Sequence, residues 1–552
     1  MGRLFRPPSP KPVQSALPLL IRLFFTRFFD KESLSPQGEP AANVTQVLGI
    51  LATPGAFFLL LALPLRMRGW DLVSLRCLFL CFSMIVMGFI LVFEWDALYL
   101  DRRDYQILSP LPLPLWKLFL AKAVALGLFL GLFLADINLL TTLFWPSVEK
   151  GSAPGIAAAH LLTVAAAGLF AALSAASLRG LLLTLPSAVL RPASVAAQTL
   201  LMALLVMALF LSPLIAVSLP PLVRHRSPWF YYFPGYWFTG LYERLRPAVR
   251  SPALSGVGVT ATRALSFAAA LLVLTHLPGY RRHARKMVEM PPPNPSGPGR
   301  LRAAVNRLIH RHALKNPAQQ AVFHFIGQTI SRSMKHRLFL AAYAGFGAAI
   351  AALSLGSDRA GLLRLPLLLS FVLVSGLRAA FNFPAELGAN WAFQIAGAND
   401  ARDCLAAVRK WIVLCGIGPL FLLLAPLEFA FFPWPVALFH LAFGVTLSVL
   451  LVEIMFFGFQ KIPFTCSYFP GKTNLVFLGV IYVFGFSLYS GVMAALESRL
   501  IQVPLAAAAF FLAAGAALVL SRWQDRRTGA ETALEYQDDG NPAVRTLGLT
   551  PQ

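Results

Sequence analysis

The chain has 552 residues, 57% of them hydrophobic and only 13% charged, with a net charge of +23 and a mean hydropathy of +0.67. A soluble protein of this composition would need one apolar core far beyond the size at which cores divide into domains, so a soluble globular class is excluded. The charge does not point to nucleic acid, because the basic residues lie between apolar runs, where Lys and Arg hold loops on the cytoplasmic side.

Leu17 to Phe29 carries Arg22 and Arg27 among Leu, Ile and Phe, which predicts an amphipathic helix in the headgroup plane. Near an anionic leaflet each basic residue adds about 1 kcal/mol. The same arginines interrupt the apolar stretch, so it does not read as a signal peptide. A bilayer core of about 30 Å takes about 20 apolar helical residues. Six runs of that kind follow: Val47 to Leu65, Leu78 to Phe93, Leu118 to Leu140, Ile156 to Leu178, Val195 to Val217 and Ala264 to Leu277, the last able to begin near Val257.

Met290 to Gly299 reads MPPPNPSGPG, a stiff linker without helical capacity. Ala321 to Arg337, with Arg332, Lys335 and Arg337 among Phe, Ile and Met, repeats the basic amphipathic pattern. Six more runs come next: Leu338 to Leu355, Leu365 to Phe381, Ile412 to Ala430, Val436 to Phe457, Leu475 to Ala494 and Pro504 to Leu520. The expected fold is an all-α polytopic membrane protein of about twelve transmembrane helices in two six-span halves. The halves are residues 1–289 and 301–552, joined by a cytoplasmic linker at 290–300, with a short cytoplasmic tail at the end.

Charge counting sets the expected orientation. With both termini cytoplasmic, only 13 of the 47 Lys and Arg fall outside, and Arg281 to Arg337 alone holds 12 of the rest beside one acidic residue, Glu289. The loop after the fifth run, with six basic residues, votes the other way and is outweighed. Inner (plasma) membrane placement with both ends inside is expected.

Two segments follow the second run of each half and are far longer than a tight connection needs. The first holds Glu94, Asp96, Asp101, Arg102, Arg103 and Asp104, then a Pro-rich stretch to Lys117 and Lys122. The second holds Glu386, Asn390, Asp400, Arg402, Asp403, Arg409 and Lys410. Mixed charge beside proline suits a short exposed helix that docks another protein; the plainer reading is a solvated loop kept inside by its charge. Between the fifth and sixth runs, Trp229 to Phe238 contains eight aromatics in ten residues, broken by Pro234-Gly235. Trp229, Tyr231, Tyr232, Tyr236 and Trp237 are expected at the membrane interface, as a belt or a re-entrant hairpin.

Within the runs, Asp136 and Asn138 fall near the outer end of the third, Glu428 near that of the ninth, and His440 and Glu453 in the tenth. Asp136 and Glu428 occupy matching places in the two halves and are the candidate translocation path. Glu453 can pair with Lys461, eight residues on. No zinc pair, nucleophile elbow or spaced Cys and His cluster is present, and Gly471-Lys472-Thr473 lacks the first glycine of a phosphate loop, Cys466 standing there. No catalytic residue, cofactor or metal ligand is expected.

Arg22 to Lys31, Glu94 to Lys122 and Trp229 to Phe238, with six runs per half, resemble the permeases of ATP-binding-cassette exporters of the second type. That family has an amphipathic helix before its first span, a coupling loop between the second and third, and re-entrant helices between the fifth and sixth. The likeness covers the first half; in the second, Glu497 to Val503 is too short for a re-entrant pair. The resemblance implies a separate cytoplasmic ATP-binding subunit, acting as a dimer, that closes on ATP and drives alternating access between the halves. It implies surrounding lipid, no nucleic acid and no second permease chain, since two halves are fused. A non-transporting scaffold of an envelope complex, and behind it a lipid-modifying membrane enzyme, are the alternatives.

Overall fold

Asp71 starts the most enclosed helix of the first half, its carboxylate accepting from the Ser74 N–H at 3.3 Å. From there 22 residues, LVSLRCLFLCFSMIVMGFILVF, run without Gly, Pro or charge except Arg76 and Gly88. The computed structural model describes residues 16–29, 64–95, 102–108, 114–225, 227–246, 251–289, 300–314, 316–356, 359–387, 401–457, 461–466 and 475–528, with isolated positions between them. Among these there are helices and turns and no strand. Ten helices are long and apolar enough to cross a membrane, so this is an all-α polytopic membrane protein. The first predicted run lies mostly outside the described residues.

The chain forms two units, Met1–Asn294 and Pro295–Gln552, which part inside the Pro-rich stretch. In the first, the helices are α1 (Ala16–Phe29), α2 (Leu72–Phe93), α3 (Arg102–Leu108), α4 (Leu115–Val148), α5 (Ala153–Leu183) and α6 (Ser187–Arg224). A short 3-10 turn at Pro228–Tyr231, α7 (Pro234–Leu245) and α8 (Pro252–Glu289) complete it. α2 is central: 78% of its apolar window is enclosed, by α6 and α5 along its length and by α7 at one end. α1 lies against α4, with Leu20, Phe24 and Phe28 buried, while Leu19 and Leu23 face outward. α8 begins at Pro252, twelve residues before the predicted run, because Ala, Leu, Val and Gly continue the helix with no charge before Arg263.

α7 and α8 meet backbone to backbone. A Cβ on Gly240 would stand 2.4 Å from the Leu254 carbonyl oxygen, and one on Gly258 would stand 2.6 Å from that of Gly240. Only glycine at both places lets the helices approach so closely.

The second unit contains α9 (Arg300–His312), α10 (Pro317–Arg332), α11 (Met334–Leu355) and α12 (Arg359–Ala380). α13 (Ala401–Trp411) passes through a π-helical turn at Ile412–Ile417 into α14 (Gly418–Phe431), and α15 (Trp434–Met455) returns. α16 (Leu475–Ser487), a second π turn at Leu488–Val492 and α17 (Met493–Leu500) make one run, followed by α18 (Pro504–Thr528). α12 is the enclosed helix here, with 61% of its window buried. Each central helix directly precedes the mixed-charge segment of its unit. Phe464, in the connection after α15, has φ 68 and is 1% exposed. Its N–H donates to the Phe381 carbonyl at 3.1 Å, and its own carbonyl accepts from Ala385 at 2.9 Å. Such a backbone costs on the order of 1–3 kcal/mol and persists where its surroundings determine it.

Candidate functional site

The segment after α2 was expected to display its charges, and two of them are buried instead. Asp104 sits where α1, α3 and α4 meet, paired with Arg27 and lying 3.6 Å from Lys122 Nζ. Its side chain is 9% exposed. Lys122 also stands 5.7 Å from the ring of Phe24. A carboxylate between two cations is better satisfied inside this junction than in water, so Asp104 ties α1 to the bundle. Glu94, at the end of α2, is 7% exposed. α3 therefore turns Asp104 and Leu108 inward and leaves Gln106 and Ile107 outward. Asp96, Asp101 and Asp400 lie outside the described residues, as do the side chains of Arg102 and Arg103.

Removing the charge at this junction should free α1. For Asp104→Asn we expect a loss of about 1.5–3 kcal/mol, the range for hydrogen bonds to charged groups. A cysteine placed at Leu20, 7% exposed in the native packing, should react faster with maleimide in the variant. An unchanged rate would mean that apolar contacts alone hold α1.

The second unit treats its matching segment the same way. Asp403 on α13 accepts from Asn316 at 2.5 Å and Gln319 at 2.7 Å, fastening α13 to α10. Lys410 donates to Gln319 at 2.6 Å and to the Ala313 carbonyl at 2.8 Å. Arg409 meets Glu453 at 2.9 Å, so that carboxylate reaches across to α13 rather than needing the loop lysine eight residues on. Arg402 is half-buried, Asn390 donates to the Thr465 carbonyl at 2.7 Å, and Glu386 is exposed.

At the far end of the first unit lies a charged network that the sequence reading missed. Arg76 of α2 pairs with Glu149, just past α4, and lies 3.4 Å from the Tyr242 ring centroid and 4.2 Å from that of Trp145. Tyr242 of α7 donates to Glu149 at 2.9 Å, and Arg246 lies 3.4 Å from Glu149 and 3.1 Å from Glu243. Burial pushes the Tyr242 phenol up to about 12, so it remains a donor. All four charged side chains are at most 4% exposed. Two arginines and two glutamates balance, and the network bolts α7 to α2 and to the turn between α4 and α5. A polar ladder continues from it: His160 contacts Thr141 at 3.2 Å, and Asn138 donates to Ser83 at 3.0 Å.

One of the six basic residues in the loop that voted against the predicted orientation is not a solvated charge. Arg246 is 6% exposed and ion-paired, so it is packing rather than a solvated topology signal. The aromatic segment divides too. Trp229, Tyr231 and Tyr232 are 69%, 57% and 72% exposed, as an interfacial role requires, and Trp237 donates to the Tyr231 carbonyl at 2.8 Å. Tyr236 is instead 4% exposed and donates to the Ile215 carbonyl on α6 at 2.8 Å.

The pairing of Asp136 with Glu428 is altered by helix length. α4 continues to Val148, which puts Asp136 twelve residues, about 18 Å, before its end. Glu428 lies in the last turn of α14, which stops at Phe431. Asp136 is half-buried, while Glu428 is 1% exposed and faces His440 of α15. Among the described residues no group of three His, Cys, Asp or Glu is arranged to hold a metal ion. Compared with known protein families, curated proteins and solved structures, the chain matches none of them.

Proposed function

We propose that this chain is the membrane-spanning permease subunit of an ATP-driven exporter, coupled to a separate ATP-binding subunit. The observation that carries the reading is α3. It is a seven-residue helix after the central span, anchored inward through Asp104 and Leu108, with Ile107 54% exposed and Leu111 beyond it 48% exposed. A short rigid helix with apolar residues outside the spans is what a docking partner needs. The amphipathic α1 at the same end, and the 3-10 turn with α7 between α6 and α8 at the other, support the same reading. In it the chain sits in the inner (plasma) membrane, with α1, α3 and the basic stretch before α11 at the cytoplasmic side. The ATP-binding subunit rests on α3, and its closure moves the spans through α3 and α1.

Purification of the tagged chain in mild detergent is expected to bring down an ATP-binding subunit and ATP hydrolysis with it. Ile107→Glu and Leu111→Glu should weaken that association about tenfold or more, some 1.4 kcal/mol per tenfold, while the protein stays monodisperse. Retention of other envelope proteins with no ATP-binding subunit would replace this reading by the scaffold.

A further inference from the structure

A three-residue cluster in the second unit is left unused by the docking reading. Glu428 in the last turn of α14, His440 in the second turn of α15 and Glu497 in α17 come together at one end of that unit. Their side chains are 1–2% exposed. His440 Nδ1 is hydrogen-bonded to Glu497 Oε1, and Nε2 lies 3.6 Å from Glu428 Oε1, an ion-pair distance rather than a hydrogen bond. Both ring nitrogens thus face carboxylates, and an imidazole can present N–H to both only as the imidazolium. The other oxygens, Glu428 Oε2 and Glu497 Oε2, are buried without a hydrogen-bond partner.

Charge counting makes this arrangement unstable as a plain ion pair. One imidazolium between two carboxylates leaves a net charge of −1 in an apolar setting, beside the ring of Phe432 at 6.1 Å. Among the described side chains, the packed elements supply no balancing cation. Arg364 of α12 and Arg499 of α17 are exposed, and Arg378 of α12 binds the Met455 carbonyl at the opposite end of α15. Glu453 lies thirteen residues from His440, about 20 Å along α15, and is held by Arg409. Tyr489 of the second π turn contacts Ser370 at 3.2 Å. One more proton, shared over the carboxylates, brings the cluster to neutrality, and two carboxylates in one dry site share protons for this reason.

A separate feature points to movement at the same place. The two π-helical turns among the described residues fall in the two runs that bring the carboxylates: Ile412–Ile417 leads into α14, and Leu488–Val492 ends one residue before α17. π turns are weak points of a helix, recur at functional sites and allow bending without a proline. α15, which carries the histidine, has no such turn.

We propose that Glu428, His440 and Glu497 form a proton-binding site in the membrane-spanning part of the second unit, loaded when the three helices pack as seen here and unloaded when the π-turned runs shift. On loading, a proton from water forms an O–H bond on one carboxylate and the cluster becomes neutral. On release that O–H bond breaks, the proton returns to water, and the imidazolium stays with two carboxylates. No other reactant is involved. The proposal goes beyond the exporter reading and does not depend on it.

The test is infrared difference spectroscopy of the purified full-length protein between neutral and alkaline pH, without any ATP-binding partner. We expect the C=O band of a protonated carboxylic acid at neutral pH, lost on raising the pH with release of about one proton per chain. Glu428→Gln or Glu497→Gln should remove or displace the band, and Glu428→Asp, which keeps the carboxyl and guards against a folding failure, should shift it. Because Gln mimics the protonated acid, a Gln variant at the loaded carboxyl should match the wild type at neutral pH and be more resistant to unfolding at alkaline pH. The proposal is overturned if folded wild type shows no such band, or if the band is untouched by all three variants. It is also overturned if the band vanishes when sodium replaces choline at constant pH, because a metal cation would then occupy the site.

Discussion

Glu149→Gln is expected to destabilise the first unit by about 3–5 kcal/mol, the cost of leaving a buried charge without its partner. Glu149 is the hub: it takes Arg76, accepts from Tyr242 at 2.9 Å and faces Arg246 at 3.4 Å. Its neutral replacement strands Arg76, whose side chain is 2% exposed. Thermal unfolding in detergent, followed by tryptophan fluorescence, reads the effect directly because Trp145 stacks on the same guanidinium at 4.2 Å. A companion protein with Arg76→Met and Glu149→Leu, which keeps the buried Arg246–Glu243 pair, should recover most of the loss, since apolar groups of similar volume commonly replace buried ion pairs without penalty. A Glu149→Gln protein within about 0.5 kcal/mol of wild type, the range of ordinary surface changes, would show that water or a rearranged partner takes over the role of the carboxylate.

Gly258→Ala should do comparable harm through a single methyl group. Its Cβ would fall 2.6 Å from the Gly240 carbonyl oxygen and 2.8 Å from the Leu241 nitrogen, both backbone atoms that no rotamer can move. The helices must separate, and overpacking of this kind costs about 1–3 kcal/mol, here at the upper end. Gly256, two residues earlier on α8, has nothing within 4 Å, so Gly256→Ala should be neutral or should stabilise by about 0.5–1 kcal/mol through helix propensity. Separation of α7 from α8 also draws Arg246 away from Glu149, so Gly258→Ala and Glu149→Gln together should cost less than their sum. Strict additivity in the double variant would show that contact and network act independently.

Helices were legible from the sequence because length and hydropathy report directly on the solvent that a segment meets. The break at Pro234-Gly235 was legible for the same local reasons. Charge partners were not. Arg76 stands just before the predicted second run, and Glu149 and Arg246 lie 73 and 170 residues away from it, so nothing local distinguishes them from solvated loop charges. Asp104 and Asp403 read as surface charge for the same reason, whereas packing of α1 and α10 turns them inward. Glu428 and His440 could be named as polar residues in apolar runs, but Glu497 read as part of a loop because it lies past the apolar stretch. A carboxylate on either side of one histidine becomes visible only when three helices are brought together.

The distance in sequence between Arg76 and its partners also sets a timetable for assembly. At a synthesis rate of about 5–20 residues per second, Glu149 emerges roughly 4–15 s after Arg76, and Arg246 roughly 9–34 s after it. Through that interval α2, destined to be the most enclosed helix of its unit, lies among lipids with an uncompensated guanidinium near one end. Its long side chain can reach toward the headgroups while it waits. The eventual centre of the first unit therefore gains its charge partners only after it has itself been made.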